Sequence, residues 1–128
     1  MTETQSVERV VRAFVQGLQE GNVPLLQQHL AREATINRYQ GGRRESLAPD
    51  AWLATLAPRH PPEVAGLALQ GIEAAGDVAH AYLCHVLDGH RYTCYLALEK
   101  REGAWKITSR SYHQEPASDA VAPGRQAA

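Results

Sequence analysis

The chain has 128 residues, with 13 Lys and Arg against 14 Asp and Glu and a formal net charge of -1. That length favours a single domain whose core needs no disulfide or metal clip. The dispersed, nearly balanced charge argues against a nucleic-acid surface built on many phosphate contacts, and no run approaches the roughly 18 apolar residues needed to span a bilayer.

The opening "MTETQSVERV" has no basic region followed by an unbroken apolar run, so it does not read as a signal peptide. Val7, Val10, Val11, Phe14, Val15 and Leu18 recur at three and four residues, which places them on one helix face. Gly21 supplies a stop near residue 20. Asn22 then caps a short second helix, with Pro24 in its first turn and Leu25, Leu26 and Leu30 on its apolar side. His29 is expected at the core margin.

"ATINRYQGGRRE" predicts a strand, a Gly-Gly turn and a short return strand. "PDAWLATLA" predicts a brief helix with Trp52, Leu53 and Leu56 facing the core, ended by the prolines of "PRHPP". His60 falls in that loop. From residue 63 the pattern is that of strands: "EVAGLALQGIEAAGD", "VAHAYLCHVL", "RYTCYLALE" and "AWKITSRSYH". Helices followed by a three- or four-stranded antiparallel meander predict an α+β domain over residues 1–115. Residues 116–128 lack aromatic groups and are expected to be a disordered tail.

Asp88-Gly89 suits a two-residue hairpin loop, which pairs Leu87 with His90, His85 with Tyr92, Leu83 with Cys94, Ala81 with Leu96 and Ala79 with Leu98. A four-residue turn at Lys100–Gly103 would pair Glu99 with Ala104 and set Cys94 by Ser109 and Tyr92 by Ser111. One face then carries an apolar half, Ala79, Ala81, Leu83, Leu96, Leu98, Trp105 and Ile107. Its polar half holds His85, Tyr92, Cys94, Ser109, Ser111 and His113. That half is either a pocket wall or the rim where the core meets water. The opposite face would hold Tyr82, Tyr95, Arg110 and Tyr112, a mixture suited to a homodimer interface. Cys84 and Cys94 fall on opposite faces, which disfavours a mutual disulfide, and two cysteines are too few for a disulfide scaffold. Reduced thiols and a cytoplasmic setting are the expectation.

"VERVVRAFVQGLQEGNVPLLQQHL", "GDVAHAYL" and above all "YLALEKREGAWKI" resemble the putative lumazine-binding family. That family lies within the nuclear transport factor 2-like superfamily, beside the SnoaL-like polyketide cyclases and ketosteroid isomerases. The resemblance covers roughly residues 5 to 113 and implies a cystatin-like cone, with N-terminal helices packed on a curved antiparallel sheet around a pocket. It also implies dimerisation through a sheet face. Cys94 stands where family members often carry Asp, Asn37-Arg38 stand near the isomerase carboxylate position, and Phe14 lies near that of the oxyanion tyrosine. The isomerase residues therefore do not carry over.

Three functions follow as expectations. The first is a small-molecule-binding domain for a hydrophobic or planar ligand, using Tyr39, Cys94, Ser109, Ser111 and His113. The second is acid/base catalysis on an enolisable substrate, with His85 as base and Tyr92 steadying an oxyanion. The third is a homodimeric accessory domain using the tyrosine face. The Cys and His spacing does not resemble a zinc site, and no cofactor is expected.

Overall fold

The computed structural model describes residues 1–58 and 67–117. Helix α1 spans Glu3–Glu20. Thr2 caps it, its side chain accepting from the Gln5 backbone while the Gln5 side chain returns to the Thr2 N–H. Val7, Val11, Phe14, Val15 and Leu18 form its buried face, as the spacing predicts. Gly21 ends it in the left-handed conformation with φ 62°. Asn22 caps α2 (Val23–His29) by accepting from the Leu25 N–H, and Leu26 is buried.

Strand β1 (Leu30–Gln40) turns at Gly41-Gly42 into β2 (Arg43–Leu47). The short helix α3 (Pro49–Leu53) buries Trp52 and Leu53. Strands β3 (Leu67–Ala75), β4 (Val78–Leu87), β5 (His90–Arg101) and β6 (Ala104–Pro116) follow as a meander. The β4–β5 register is the one predicted, from Leu87 with His90 to Ala79 with Leu98. Asp88 and Gly89 both take positive φ, as this kind of tight hairpin requires. The expected disordered tail begins on a residue that ends β6, Pro116; residues 118–128 and His60 lie outside the described residues.

Two expectations are corrected. The expected antiparallel meander is present as β3–β6, but it is part of a larger mixed sheet and not of a curved antiparallel cone: six strands lie in the order β2-β1-β6-β5-β4-β3, with β1 parallel to β6. It is therefore mixed and open, with β2 and β3 as its edges. The β1–β6 contact joins segments about 75 residues apart, and no local turn announces it.

The second correction concerns register. The β5–β6 turn is the two-residue pair Glu102-Gly103, so Arg101 faces Ala104 and Leu98 faces Ile107. That is an even shift from the predicted pairing and keeps Trp105 and Ile107 on the core face. A bulge follows, because Leu98 pairs with Ile107 but Ala97 pairs with Ser109, leaving Thr108 as the extra residue. Beyond it every side chain of β6 changes face. Arg110 and Tyr112 turn toward the helices, and Ser109, Ser111 and His113 turn away.

The core lies between the helices and one sheet face. Phe14, Leu26, Ile36, Leu83, Leu98 and Ile107 are among its largest fully buried side chains.

Candidate functional site

The polar end of the core face is assembled by β4, β5 and β6, with α1 and α3 packed over it. His85 and Tyr92 are cross-strand partners with rings stacked at 5.0 Å and 9°. Tyr112 lies beyond Tyr92 at 5.6 Å. The Cys94 Sγ is 3.8 Å from His85 Nε2, and on its other side it accepts from Arg110 Nη2 at 3.6 Å.

Arg110 is the residue that most distinguishes this place. It is 2% exposed, and its guanidinium lies 4.0 Å from the Tyr112 ring centroid, 5.3 Å from that of Trp52 and 5.7 Å from that of Phe14. Its Nε–H has no hydrogen-bond partner, and no carboxylate among the described residues pairs with it. A guanidinium does not escape burial by shedding its charge. Burial of an ion costs several kcal/mol, and a desolvated cation–π contact returns about 2 kcal/mol. A thiol is a weak acceptor. The three rings offset part of the cost and leave the charge without a counterion.

Arg110 lines a cavity of about 300 Å³, at the lower end of the range for small-molecule sites. Trp52, His85, Tyr92 and Tyr112 share that lining, with Leu18, Leu47, Leu56 and Leu87 as its aliphatic part. Arg38 and Glu45 also line it and pair with each other. Asp88 contributes from the β4–β5 turn. A broader depression of about 490 Å³ over the β1–β2 hairpin is lined by exposed side chains, Arg43 and Arg44 among them.

Burial, then the Arg110 charge, push the His85 pKa down to about 3. The imidazole is thus neutral at physiological pH. It can donate or accept a hydrogen bond, but its strength as a base is much reduced. Burial also pushes the Cys94 thiol up, with Arg110 partly opposing, so the sulfur is a thiol and not a nucleophilic thiolate. Among the described residues no three His, Cys, Asp or Glu side chains cluster to hold a metal ion.

The depressed His85 pKa makes stability depend on pH. Its unfolded-state value is near 6.5, so between that value and about 3 the unfolded chain binds a proton that the folded chain does not. Stability is complete above the upper limit and falls with pH through this window. Lowering the pH from about 7.5 to about 5 is expected to cost about 2 kcal/mol through His85 alone. Urea unfolding at both pH values should show that loss in the natural protein and a smaller one in His85→Gln. Equal losses would mean that His85 is not held neutral by the fold.

The other predicted site residues lie elsewhere. Tyr39, Ser111 and His113 are on the opposite sheet face, where Tyr39 pairs with His113 across β1 and β6 and is 40% exposed. The Tyr39 hydroxyl accepts from Arg44 Nε, and Ser111 Oγ accepts from Asn37 Nδ2 at 3.3 Å. Ser109 shares that face beside Thr35. Tyr82 and Tyr95 remain there, stacked at 4.8 Å, while Tyr112 has left it. Cys84 and Cys94 are both free and on opposite faces, as expected. Sequence reasoning missed Arg110, Tyr112 and Trp52 as neighbours of His85. The two-residue turn at Glu102-Gly103 would not have revealed them, because the change of face comes from the bulge at Thr108.

The model of the putative lumazine-binding family matches residues 2–113. Solved structures share the fold. An NTF2-like protein of unknown function from Silicibacter pomeroyi DSS-3 is 22% identical with a TM-score of 0.81, covering 90% of this chain and 100% of its own. One from Shewanella baltica OS155 is 21% identical with a TM-score of 0.75, covering 91% and 99%. A ketosteroid isomerase-like protein from Erwinia carotovora atroseptica SCRI1043 is 11% identical with a TM-score of 0.69, covering 90% and 98%. No curated protein sequence matches the chain. Among the described residues no helix is long and apolar enough to cross a membrane.

Proposed function

Because this chain belongs to the putative lumazine-binding family, we propose that it is a small-molecule-binding domain whose ligand enters the cavity between α1, α3 and the helix-facing side of the sheet. The observation that carries this reading is the cavity itself: aromatic and aliphatic walls with a few polar groups, the composition of a ligand site. Trp52, Tyr92 and Tyr112 favour a planar ligand, since rings offer flat faces at little entropic cost. His85 supplies a neutral hydrogen-bonding group beneath the stacked Tyr92 ring. Its weakened basicity favours binding over proton abstraction by His85.

Ligand-observed NMR with one- and two-ring planar fragments tests the reading. Saturation transfer is expected with the natural protein, and Leu47→Trp, which places a larger side chain in the cavity wall, should abolish it. Silence across such a panel at millimolar concentration would remove the proposal.

A further inference from the structure

Resting on that reading, we infer that the ligand is an acid, a small planar carboxylate whose anionic group is held by Arg110. The inference stands on three observations. The first is a guanidinium that is 2% exposed yet belongs to the lining of the cavity. The second is its unmatched charge: Nε–H has no partner, Nη2 meets only the Cys94 sulfur, and no carboxylate of the described chain pairs with it. The third is the disposition of the other charges. Glu45 is engaged by Arg38, and Asp88, in the β4–β5 turn, makes no ion pair with Arg110.

Natural proteins satisfy nearly all buried polar groups, and a charged one left without an acceptor calls for an explanation. A ligand carboxylate supplies it, because an arginine fork and a carboxylate match in shape and charge. Around that point the cavity offers ring faces, and the other cation in its described lining, Arg38, is already neutralised by Glu45. Trp52 and Tyr112 already flank the guanidinium, and Tyr92 extends the aromatic wall to His85. A flat body joined to one carboxylate fits this division better than a phosphate ester, whose higher charge would call for more donors.

Benzoate and its neutral isostere benzamide separate this inference from the broader reading. Calorimetry at neutral pH is expected to show benzoate binding the natural protein at least about tenfold more tightly than benzamide, the scale of a charge-assisted contact against a neutral one. Arg110→Met should fold, since replacing an uncompensated buried cation by an apolar chain of similar length is often neutral or stabilising. It should lose the preference for benzoate while still binding benzamide. Equal affinity for the two probes in the natural protein, or a preference that survives in Arg110→Met, would overturn the inference and leave the binding reading intact. If neither probe binds the natural protein while other neutral planar fragments do, the carboxylate assignment falls alone. If no planar fragment binds at all, both fall. The comparison in the natural protein decides the matter even if the variant does not fold.

Discussion

Replacing Phe14 by alanine is expected to destabilise the protein by about 4 kcal/mol, within the range for deleting a fully buried aromatic side chain. Phe14 is 1% exposed and sits where α1 faces the polar end of the core. Its ring stacks on Trp52 with centroids 6.0 Å apart, and the Arg110 guanidinium lies 5.7 Å from its centroid. Truncation therefore opens a void and also removes one of the three rings that offset the buried cation. With Arg110 replaced by Met there is no cation for the Phe14 ring to contact, so the loss should shrink in Phe14→Ala, Arg110→Met relative to the sum of the single changes. Equilibrium urea unfolding reads all three differences. A loss below about 1 kcal/mol in Phe14→Ala would mean that this contact does not anchor α1 on the sheet.

The second large effect is expected at Gly21, where alanine should cost about 3 kcal/mol. Two separate penalties meet there. The residue has φ 62°, a conformation that disfavours any side chain. A Cβ would also stand 2.0 Å from the Ala57 carbonyl oxygen and 2.8 Å from its carbon, and these are backbone atoms that no rotamer change can move aside. Gly41 provides the internal control: its φ is 58°, but nothing lies within 4 Å of the added Cβ. Gly41→Ala should therefore show the conformational penalty alone, about 1 kcal/mol. If the two variants unfold at the same urea concentration, the close packing of the segment after α3 against the end of α1 is not a stabilising contact. The segment it anchors carries Trp52, Thr55 and Leu56, which line the cavity.

Local chemistry made much of this fold legible in the sequence. Gly21, Asn22, Gly41-Gly42 and Asp88-Gly89 each act on their immediate neighbours, and the helix ends and the β4–β5 register followed from them. The pairing of His85 with Tyr92 on the core face was legible for the same reason. What was hidden depends on distant contacts or on a single inserted residue. The parallel docking of β1 beside β6 has no turn to mark it, and the bulge at Thr108 rests on no distinctive residue type. That one residue moved Ser109, Ser111 and His113 to the far side of the sheet and brought Arg110 and Tyr112 beneath α1 and α3. The site consequently changed character, from a mixed polar wall of hydroxyls and imidazoles to a buried cation among rings.

Phe14 illustrates the same point from the helix side. Its position near the oxyanion tyrosine of ketosteroid isomerases reads in the sequence as a lost catalytic group. In the structure its ring lies beside a guanidinium. An arginine held by aromatic faces is suited to a ligand that arrives with its charge already formed, not to one whose charge develops during reaction at a base as weak as His85.

The most direct measurement is made at the Arg110 side chain. In protein labelled with nitrogen-15 at arginine, the Arg110 Nε–H should give a resonance protected from solvent, because the atom is buried and without a partner. Titration with benzoate is expected to shift that resonance to saturation with the affinity found by calorimetry, while benzamide leaves it nearly in place. Benzoate that binds without moving Arg110, and instead shifts Arg43 or Arg44 at the β1–β2 hairpin, would contradict an acid-binding site beneath α1 and α3.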